Sequence, residues 1–361
     1  MSETRMIWRR AVMVLLALCT LSCMRPAPEL QLPRAGHLDP ALWEGFRTRF
    51  ISDGRVIDVD NGGITHSEGQ GYGMLLAVAA DDRHTFDGLF AWTKRTLARP
   101  DGLFAWRFGP CQQGAGDCVT DSNNASDGDL LIAWALLRAA DRWGAEPYRQ
   151  EAAGIAQALA AHQVVRRHGR LVLLPGVHGF DATEPGGVVT VNPSYWVFPA
   201  LEQLAVAFAE GPWRQLAESG RNLLGEARFG AAKLAPDWLD ISAGGLAPSA
   251  RFEPRYGYNA VRVPLHLAWS VHSDPSLLAP YLRWWAEFGE RPPPAWVDLV
   301  DGRVAEYAWS TGMAAVSQVA RARVTHNVPP AATLPVPAAD DGYYAWSLLL
   351  LSHLALAEMR Q

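Results

Sequence analysis

One carboxylate stands in a glycine-rich stretch directly before an apolar run. Residues 64–77 read ITHSEGQGYGMLLA, so Glu68 is followed by three glycines within five positions. Glycines let backbone and substrate approach closely, and the apolar run predicts a helix that begins near Glu68. At such a place a carboxylate either caps the helix or acts on a substrate as an acid, and the motif alone leaves both interpretations open.

A second group of carboxylates precedes another apolar run. Residues 121–143 read DSNNASDGDLLIAWALLRAADRW, in which Asp121, Asp127 and Asp129 come before the periodic part. Helix capping accounts for one of them. An EF-hand calcium loop is excluded because no glutamate follows at the required spacing. A carboxylate cluster with a catalytic or sugar-binding role is the hypothesis that is left.

Other kinds of catalytic site lack their motifs in this sequence. There is no HExxH or other paired-histidine spacing for a metal, no GxSxG elbow for a serine hydrolase and no phosphate-binding glycine loop. We therefore expect neither a metal nor a cofactor.

Apolar residues recur at three- and four-residue spacing along most of the chain, a pattern typical of helices. Eleven helices are predicted, over residues 41–51, 69–80, 85–97, 127–143, 148–163, 195–209, 213–227, 258–272, 275–289, 306–319 and 343–358. Two short β-branched runs, 170–174 and 186–191, indicate minor strands. A nucleotide-binding α/β fold is disfavoured because strands and helices do not alternate.

About a dozen helices in antiparallel pairs suit either an α/α toroid or a helical-repeat solenoid. A solenoid should have a recurring sequence period, and none is visible. We therefore predict an all-α toroid, in which helix ends and loops surround a central opening. The 361 residues, 49% hydrophobic with 15 tryptophans, suffice for a large core. Because no linker divides the chain, residues 39–361 are expected to form a single domain, preceded by a short extension at 23–38.

The N-terminus has the features of a secretory signal. Three arginines precede an apolar run at residues 11–21, which is too short to span a bilayer comfortably. We expect residues 1–22 to be removed, giving a periplasmic or secreted protein without a transmembrane span. Lipid attachment at Cys23 is an open alternative to simple cleavage nearby. Without residues 1–22 the formal charge changes from −5 to about −7, which argues against a nucleic-acid partner.

Two of the four cysteines lie far from the N-terminus. Cys111 and Cys118 enclose the sequence QQGAGD, where glycine and glutamine give a flexible loop able to close a small ring. An oxidising compartment favours a disulfide between them, and two free thiols are the alternative. A zinc site is disfavoured because no matching CxxC or histidine pair accompanies them.

Five motifs occur in an order typical of one enzyme family. They are SEGQGYGM, NNASDGDLLIAWALLRAADRW, NPSYW, PDW and YNAVRVPLHLAW. With them the chain resembles glycoside hydrolase family 8, from about Trp43 to the helix beginning at Tyr343, and most of all its periplasmic endoglucanases encoded with bacterial cellulose synthase. The resemblance implies an (α/α)6 barrel with an open groove that hydrolyses β-1,4-glucan with inversion and without a cofactor. It also implies the cellulose synthase complex as a candidate partner of what we expect to be a monomer.

The resemblance assigns roles to two carboxylates. An inverting glycosidase needs a protonated acid beside the leaving oxygen and a second carboxylate, about 6.5–9.5 Å away, that activates water on the opposite face. Glu68 matches the proton donor, and its pKa must rise for that role, as partial burial beside another carboxylate would cause. Asp127 matches the residue that holds the sugar at the cleavage point. We assign it to substrate distortion and electrostatic support, because inversion forms no covalent intermediate.

The general base is where the sequence departs from the family. The family's YDA motif supplies an aspartate, and here that place reads Tyr258-Asn259-Ala260, followed as expected by Arg262. Asn259 cannot take a proton. Either another carboxylate activates water, or Asn259 only orients water in a slow enzyme, or catalysis is lost while glucan binding persists. The candidate carboxylates are Asp121, Asp127, Asp237 and Asp240. We expect hydrolysis to be retained, although weakened, since the other motif residues are in place.

Sugar binding requires flat apolar surfaces, because a glucose ring presents an apolar face that stacks on aromatic side chains. The candidate substrate-binding residues are Trp106, Asp121, Tyr195, Trp238, Arg262, Tyr343 and Tyr344. For each tryptophan, packing in the core is the alternative. Arg262 is predicted to hold carboxylates or sugar hydroxyls by paired hydrogen bonds, and a structural ion pair is its alternative.

Two further functions stay open. One is a non-catalytic glucan-binding component of the cellulose apparatus, which would bind cellodextrins without releasing reducing sugar. The other is hydrolysis of xylan or chitosan. Chitosan would favour extra acidic groove residues that meet its amines, and the sequence does not decide this.

Overall fold

The computed structural model describes residues 32–111, 114–182 and 187–361. Residues Pro33–Gln361 form one compact unit. The predicted signal peptide, and the cysteine considered for lipid attachment, lie outside the described residues. Within the described ranges, none of the helices combines the length and the apolar character needed to cross a bilayer.

The described residues contain eleven α-helices, one for each helix predicted from the apolar spacing. They are α1 (Pro40–Phe50), α2 (Ser67–Ala79), α3 (Arg83–Leu97), α4 (Ser126–Trp143), α5 (Glu146–His162), α6 (Phe198–Ala207), α7 (Trp213–Glu226), α8 (Arg262–Trp269), α9 (Pro275–Ala286), α10 (Thr311–Thr325) and α11 (Tyr343–Met359). Helix α10 begins later than predicted because Ser310 Oγ accepts a hydrogen bond from Met313 N and caps it there.

Six of these helices form an inner ring. They are α2, α4, α6, α8, α10 and α11, each in contact with the next, and α11 closes the ring against α2. Helices α1, α3, α5, α7 and α9 lie outside this ring. Between α10 and α11, a stretch with a 3-10 turn at Ala331–Thr333 stands where a sixth outer helix would be. This arrangement is an (α/α)6 barrel, which confirms the predicted toroid.

Burial distinguishes the two rings. Every residue of α2 except Glu68 is buried. The outer helix α7, in contrast, buries one face, which includes Trp213, Leu216 and Leu223, as expected of an amphipathic surface helix. A partly exposed carboxylate on an otherwise buried helix marks the opening of the barrel.

Short strands lie in the loops between the helices. They are β1 (Ile51–Ser52), β2 (Arg55–Val56), β3 (Thr65–His66), β4 (Ala105–Pro110), β5 (Asp117–Asn124), β6 (Val164–Arg167), β7 (Arg170–Leu173), β8 (Val189–Val191), β9 (Leu239–Ser242), β10 (Gly245–Pro248), β11 (Arg255–Tyr256) and β12 (Val297–Asp298). The sheets are antiparallel, with orders β1-β2, β3-β4-β5, β6-β7, β10-β9-β8 and β11-β12. Both predicted runs form strands, as β7 and β8. The β4–β5 hairpin was not predicted.

A disulfide crosses the end of the β4–β5 hairpin. Cys111 and Cys118 are bonded, with their Cα atoms 5.4 Å apart. Pro110 pairs with Asp117 and Gly109 with Cys118 in the strand register, so the bond runs diagonally from the residue after β4 to the second residue of β5. The predicted disulfide is confirmed. It fixes the tip of the hairpin whose other end leads into α4.

The N-termini of four inner helices meet at one end of the barrel. Glu68 and Asp127 are the second residues of α2 and α4, Arg262 is the first residue of α8, and Tyr343 is the first residue of α11. Helix N-termini carry partial positive charge and unsatisfied N–H groups, which stabilise carboxylates placed among them. The motifs that predicted function therefore come together at this end.

Glycines allow α2 and α4 to pack closely at that end. A Cβ atom added to Gly128 would lie 2.7 Å from Ser67 Cβ and 2.8 Å from Glu68 N. One added to Gly71 would lie 2.5 Å from Leu131 Cβ. Both distances are too short for real side chains, so glycine is required for this helix spacing. The spacing in turn holds Glu68 and Asp127 side by side.

Substituting Gly128→Ala should separate the two helix ends. We expect a loss of about 1–3 kcal/mol in the free energy of unfolding, because backbone and Ser67 must shift to admit the methyl group. Gly154→Ala is the matched control, since Gly154 lies within α5 and a Cβ there meets nothing within 4 Å. The control should gain about 0.5–1 kcal/mol from its better helix propensity. Urea denaturation measures both; equal stability of Gly128→Ala and the native protein would contradict the close approach.

Candidate active site

A buried guanidinium lies at the centre of the site. The Arg262 side chain is only 4% exposed, and burial lowers its pKa. Its Nη1 contacts Glu68 Oε1, lies 3.2 Å from Asp127 Oδ2 and donates to Tyr72 Oη over 3.3 Å. Its Nη2 donates to Asn259 Oδ1 over 2.9 Å. One side chain of α8 thus joins the carboxylates of α2 and α4 to the loop that carries Asn259.

Glu68 is held from its own helix as well. Tyr72, one turn later, donates its hydroxyl to Glu68 Oε1 over 3.0 Å. The helix cap comes from His66, whose Nδ1 accepts a hydrogen bond from Gly69 N over 2.9 Å. Since His66 caps the helix, Glu68 is not needed for that purpose. Its side chain, 18% exposed, remains accessible from the opening.

Asp127 is more deeply enclosed than Glu68. Its Oδ1 accepts a hydrogen bond from Gly128 N over 2.8 Å, and its Oδ2 faces Arg262. Burial raises the pKa of the Asp127 carboxyl to about 7, against the opposing effect of the Gly128 N–H. Both oxygens therefore have hydrogen-bond partners within the protein. Because its pKa is raised, the carboxyl stays protonated at pH values where an exposed aspartate is ionised.

The third aspartate of the cluster is structural. Asp129 is completely buried and accepts hydrogen bonds from Phe104 N over 2.9 Å and from Asn124 Nδ2 over 2.8 Å. These bonds fasten the residue before β4 and the last residue of β5 to the N-terminus of α4. Burial raises the pKa of the Asp129 carboxyl to about 7.

A loop before α8 carries the residue at the family's base position. Asp237 Oδ1 accepts three backbone hydrogen bonds from this loop, from Gly257 N (3.1 Å), Asn259 N (3.0 Å) and Ala260 N (2.6 Å). Burial raises the pKa of the Asp237 carboxyl to about 6, while these N–H groups oppose the rise. The loop adjoins a cavity of about 340 Å³, lined by Asp237, Trp238, Phe252, Glu253, Arg255, Gly257, Tyr258, Asn259, Trp296 and Tyr307.

Three of the predicted aromatic residues lie near this centre. Tyr195, just before α6, has its ring centre 5.8 Å from Arg262 Cζ and lies edge-on to Trp238. Trp238 stacks against Phe252, with ring centres 4.3 Å apart. Tyr344 donates its hydroxyl to the carbonyl of Tyr258. Aromatic surface thus continues from the carboxylates into the cavity.

Other predicted residues lie elsewhere. Tyr343 is 1% exposed and packs edge-on against Phe50, so it offers no ring face to a ligand. Asp121 is exposed on β5, where it accepts a hydrogen bond from Asn123 N. Trp106 is partly exposed on β4 and has no contact with the Arg262 centre among the described residues.

The sequence analysis missed one residue of the site and the contacts of another. Tyr72 was missed, although its position four residues after Glu68 on one helix places both side chains on the same face. Asp237 was considered as a base, but its hydrogen bonds to the backbone of the Asn259 loop could not be predicted, because any residue type supplies a backbone N–H group. Among the described residues, no group of three or more His, Cys, Asp or Glu side chains is arranged to hold a metal ion.

The sequence pattern of glycosyl hydrolases family 8 matches residues 9–358. The chain belongs to glycosyl hydrolase family 8. The family predicted from the five motifs is confirmed, and with it the prediction of a glycoside hydrolase. The arrangement of Glu68, Asp127 and Arg262 is the candidate active centre of this family 8 fold, and Asn259 lies beside it.

Relatives of similar length are endoglucanases. An endoglucanase of Cellulomonas uda is 40% identical over 277 residues, which cover 76% of this chain and 75% of the relative. A probable endoglucanase of Novacetimonas hansenii is 38% identical over 320 residues, or 88% and 90% of the two chains. The crystal structure of a family 8 endoglucanase from Klebsiella pneumoniae has 39% identity and a TM-score of 0.79, covering 87% of this chain and 98% of that one.

The raised carboxyl pKa values predict a pH-dependent stability. Asp127, Asp129 and Asp237 bind protons in the folded state at pH values where the unfolded chain has released them. The free energy of unfolding should therefore fall as pH rises from about 4 through the folded pKa values. His266 acts in the opposite direction, since burial lowers its pKa to about 3, but only below the ordinary histidine pKa.

Above about pH 6.5 the carboxyls alone should set the slope of stability against pH. We expect the melting temperature to fall between about pH 6.5 and 8, and to fall less steeply in Asp127→Asn, which has no charge to bury there. Thermal melts across this range compare the slopes, so a constant stability change in the variant does not interfere. Equal slopes in the native protein and the variant would contradict the raised pKa of Asp127.

Proposed function

We propose that the protein is an endo-β-1,4-glucanase that hydrolyses β-1,4-glucan with inversion at the anomeric carbon. The observation that carries this proposal is the Arg262 centre, in which Glu68 is accessible and Asp127 is held beside it. The family and the endoglucanase relatives support the reaction class. The open groove that the family resemblance implies suits the interior of a polymer chain.

In this mechanism Glu68 donates its proton to the glycosidic oxygen of the departing chain. Arg262 positions Asp127 and the sugar at the cleavage point, and the Asp127 carboxylate favours the positive charge that develops at the anomeric carbon. Both carboxylates contact the same guanidinium nitrogen, so they lie closer together than the about 6.5–9.5 Å that separates an inverting acid from its base. Asp127 therefore supports the sugar, and water must be activated from another place.

Aromatic side chains supply the surface for neighbouring sugars. Tyr195 and Tyr344 lie beside the centre, and Trp238 and Tyr258 continue along the cavity wall. Rings of this kind stack on the apolar faces of glucose units. A row of such rings favours binding of several consecutive sugar units, as cleavage within a chain requires.

The proposed location is the periplasm or the cell exterior, in association with cellulose synthesis and export. The apolar N-terminal run and the Cys111–Cys118 disulfide both suit an oxidising compartment. The motif likeness to the endoglucanases encoded with cellulose synthase supports the association. The cellulose synthase complex is the proposed partner.

Release of reducing ends from carboxymethylcellulose tests the function. We expect the mature protein to release them and Glu68→Gln to lose about 10²–10⁴-fold in rate, because the amide cannot donate a carboxyl proton. Glu146→Gln is the control: Glu146 begins the outer helix α5 and its side chain is 67% exposed. Equal release by the native protein and Glu68→Gln would remove Glu68 from the mechanism.

Asn259 favours one other function, a glucan-binding protein without catalysis. That function requires cellodextrin binding and no release of reducing ends from the native chain. Asn259→Asp separates the two possibilities, because it restores a carboxylate at the family's base position. We expect a slow native enzyme that this variant accelerates by about tenfold or more. Activity in the variant alone would identify a native binding protein, and a variant no faster than an active native enzyme would contradict a missing base.

A further inference from the structure

The water that attacks the anomeric carbon needs a proton acceptor that Asn259 cannot be. The side-chain Oδ1 of Asn259 is bonded to Arg262, so its Nδ2 faces away from the guanidinium. This Nδ2 donates no hydrogen bond to the described residues, and Asn259 lines the 340 Å³ cavity. A water placed there has one fixed donor and lacks a base.

Most of the nearby carboxylates are already engaged. Asp240 Oδ1 accepts a hydrogen bond from Thr190 Oγ1 over 2.7 Å, and its Oδ2 accepts one from Ala250 N over 3.1 Å. Asp127 has both oxygens bonded within the Arg262 centre. Asp121 is exposed on the hairpin and does not line the cavity. None of these three has an oxygen free to accept a proton from water beside Asn259.

Asp237 has such an oxygen. Its Oδ1 takes the three backbone N–H bonds of the Asn259 loop, which fixes the orientation of the carboxylate. Its Oδ2 accepts no hydrogen bond from the described residues, and the residue lines the same cavity as Asn259. Asp237 also accepts a hydrogen bond from the backbone N of Asn259, so its free oxygen and the Asn259 side-chain amide lie at the same part of the cavity wall.

We propose that Asp237 is the general base of this enzyme and that Asn259 orients the water it deprotonates. The proposal rests on the proposed glucanase function. It divides between two side chains the work that one aspartate does at the family's base position: Nδ2 of Asn259 holds the water oxygen, and Oδ2 of Asp237 receives its proton.

The step balances as a hydrolysis. One O–H bond of water breaks, its proton moves to Asp237 Oδ2, and the water oxygen forms a bond to the anomeric carbon from the face opposite the leaving group. The glycosidic C–O bond breaks, and the departing oxygen takes the proton of Glu68. The products are two shorter chains. One proton has moved from Glu68 to the leaving chain and one from water to Asp237, and exchange with solvent restores both carboxyls.

The surroundings of Asp237 suit a base that works near neutral pH. Burial raises its pKa to about 6, close to the pH at which a general base is most effective. The charged and titratable groups facing it are Arg255 and Glu253 on the cavity wall, and the hydroxyls of Tyr256, Tyr258, Tyr307 and Tyr344. Arg255 is the cation among them and opposes the rise in the pKa of Asp237, and it also forms an ion pair with Glu253.

Asp237→Asn tests the proposal with little disturbance of the loop. An asparagine keeps Oδ1 as acceptor for the three N–H groups and replaces only Oδ2, by an amide that cannot take a proton. We expect kcat/KM on carboxymethylcellulose to fall by about 10²–10⁴-fold, with unchanged cellodextrin binding. In the native enzyme kcat/KM should also fall as pH decreases through about 6.

The same substitution in an Asn259→Asp background distinguishes a base from a structural residue. If Asp237 is the base, the carboxylate at 259 takes over its role, and Asp237→Asn then costs less than about tenfold. A residue that only shapes the loop would cost the same in both backgrounds, and that result would overturn the proposal. A rate that Asp237→Asn leaves unchanged would also overturn it. The same holds if Glu253→Gln, and not Asp237→Asn, removes the fall of kcat/KM at acidic pH.

Failure of the glucanase function itself gives a different pattern. In that case the native chain and Asp237→Asn are both inactive. Asn259→Asp is then active only if Glu68, Asp127 and Arg262 can still carry out hydrolysis. An inactive native chain would overturn the assignment of a working base together with the function. An active native chain with an indifferent Asp237 would overturn the base alone.

Discussion

The active centre depends on one buried cation. Arg262 carries its charge where water does not reach, and it is stabilised only because two carboxylates, a phenol and an amide surround it. Removing any one of them would leave a buried charge with an unfilled donor, which is costly in a protein interior. The partners come from α2, α4 and the loop before α8, so this single ionic cluster fixes three separate segments relative to each other.

The helical frame makes that cluster possible. Glycines at the α2–α4 contact bring two helix ends within the reach of one guanidinium. Asp129 fastens the β4–β5 hairpin to the start of α4, and Asp237 fastens the loop before α8. Asp129 binds one backbone N–H group and the side-chain amide of Asn124, whereas Asp237 binds three backbone N–H groups, so the Asn259 loop is held by its main chain.

Much of this was predictable from the sequence, for physical reasons. Apolar spacing identified the helices because burial on a ring of helices imposes that period. The motif residues Glu68, Asp127 and Arg262 were expected together, and they meet. Adjacent Tyr343 and Tyr344 were both assigned to the groove, yet Tyr343 is buried, because neighbouring positions on a helix point in different directions. Contacts through backbone atoms, such as those of Asp237, leave no pattern in residue types.

The composition of the Arg262 cluster also determines how many protons it holds. Two carboxylates and one guanidinium carry one excess negative charge, and a site shielded from water favours neutrality. Burial raises the pKa of the Asp127 carboxyl to about 7, so a proton on Asp127 removes the excess near neutral pH. The fold thus places beside the proposed acid a second carboxyl that binds a proton at the pH where an exposed aspartate is ionised.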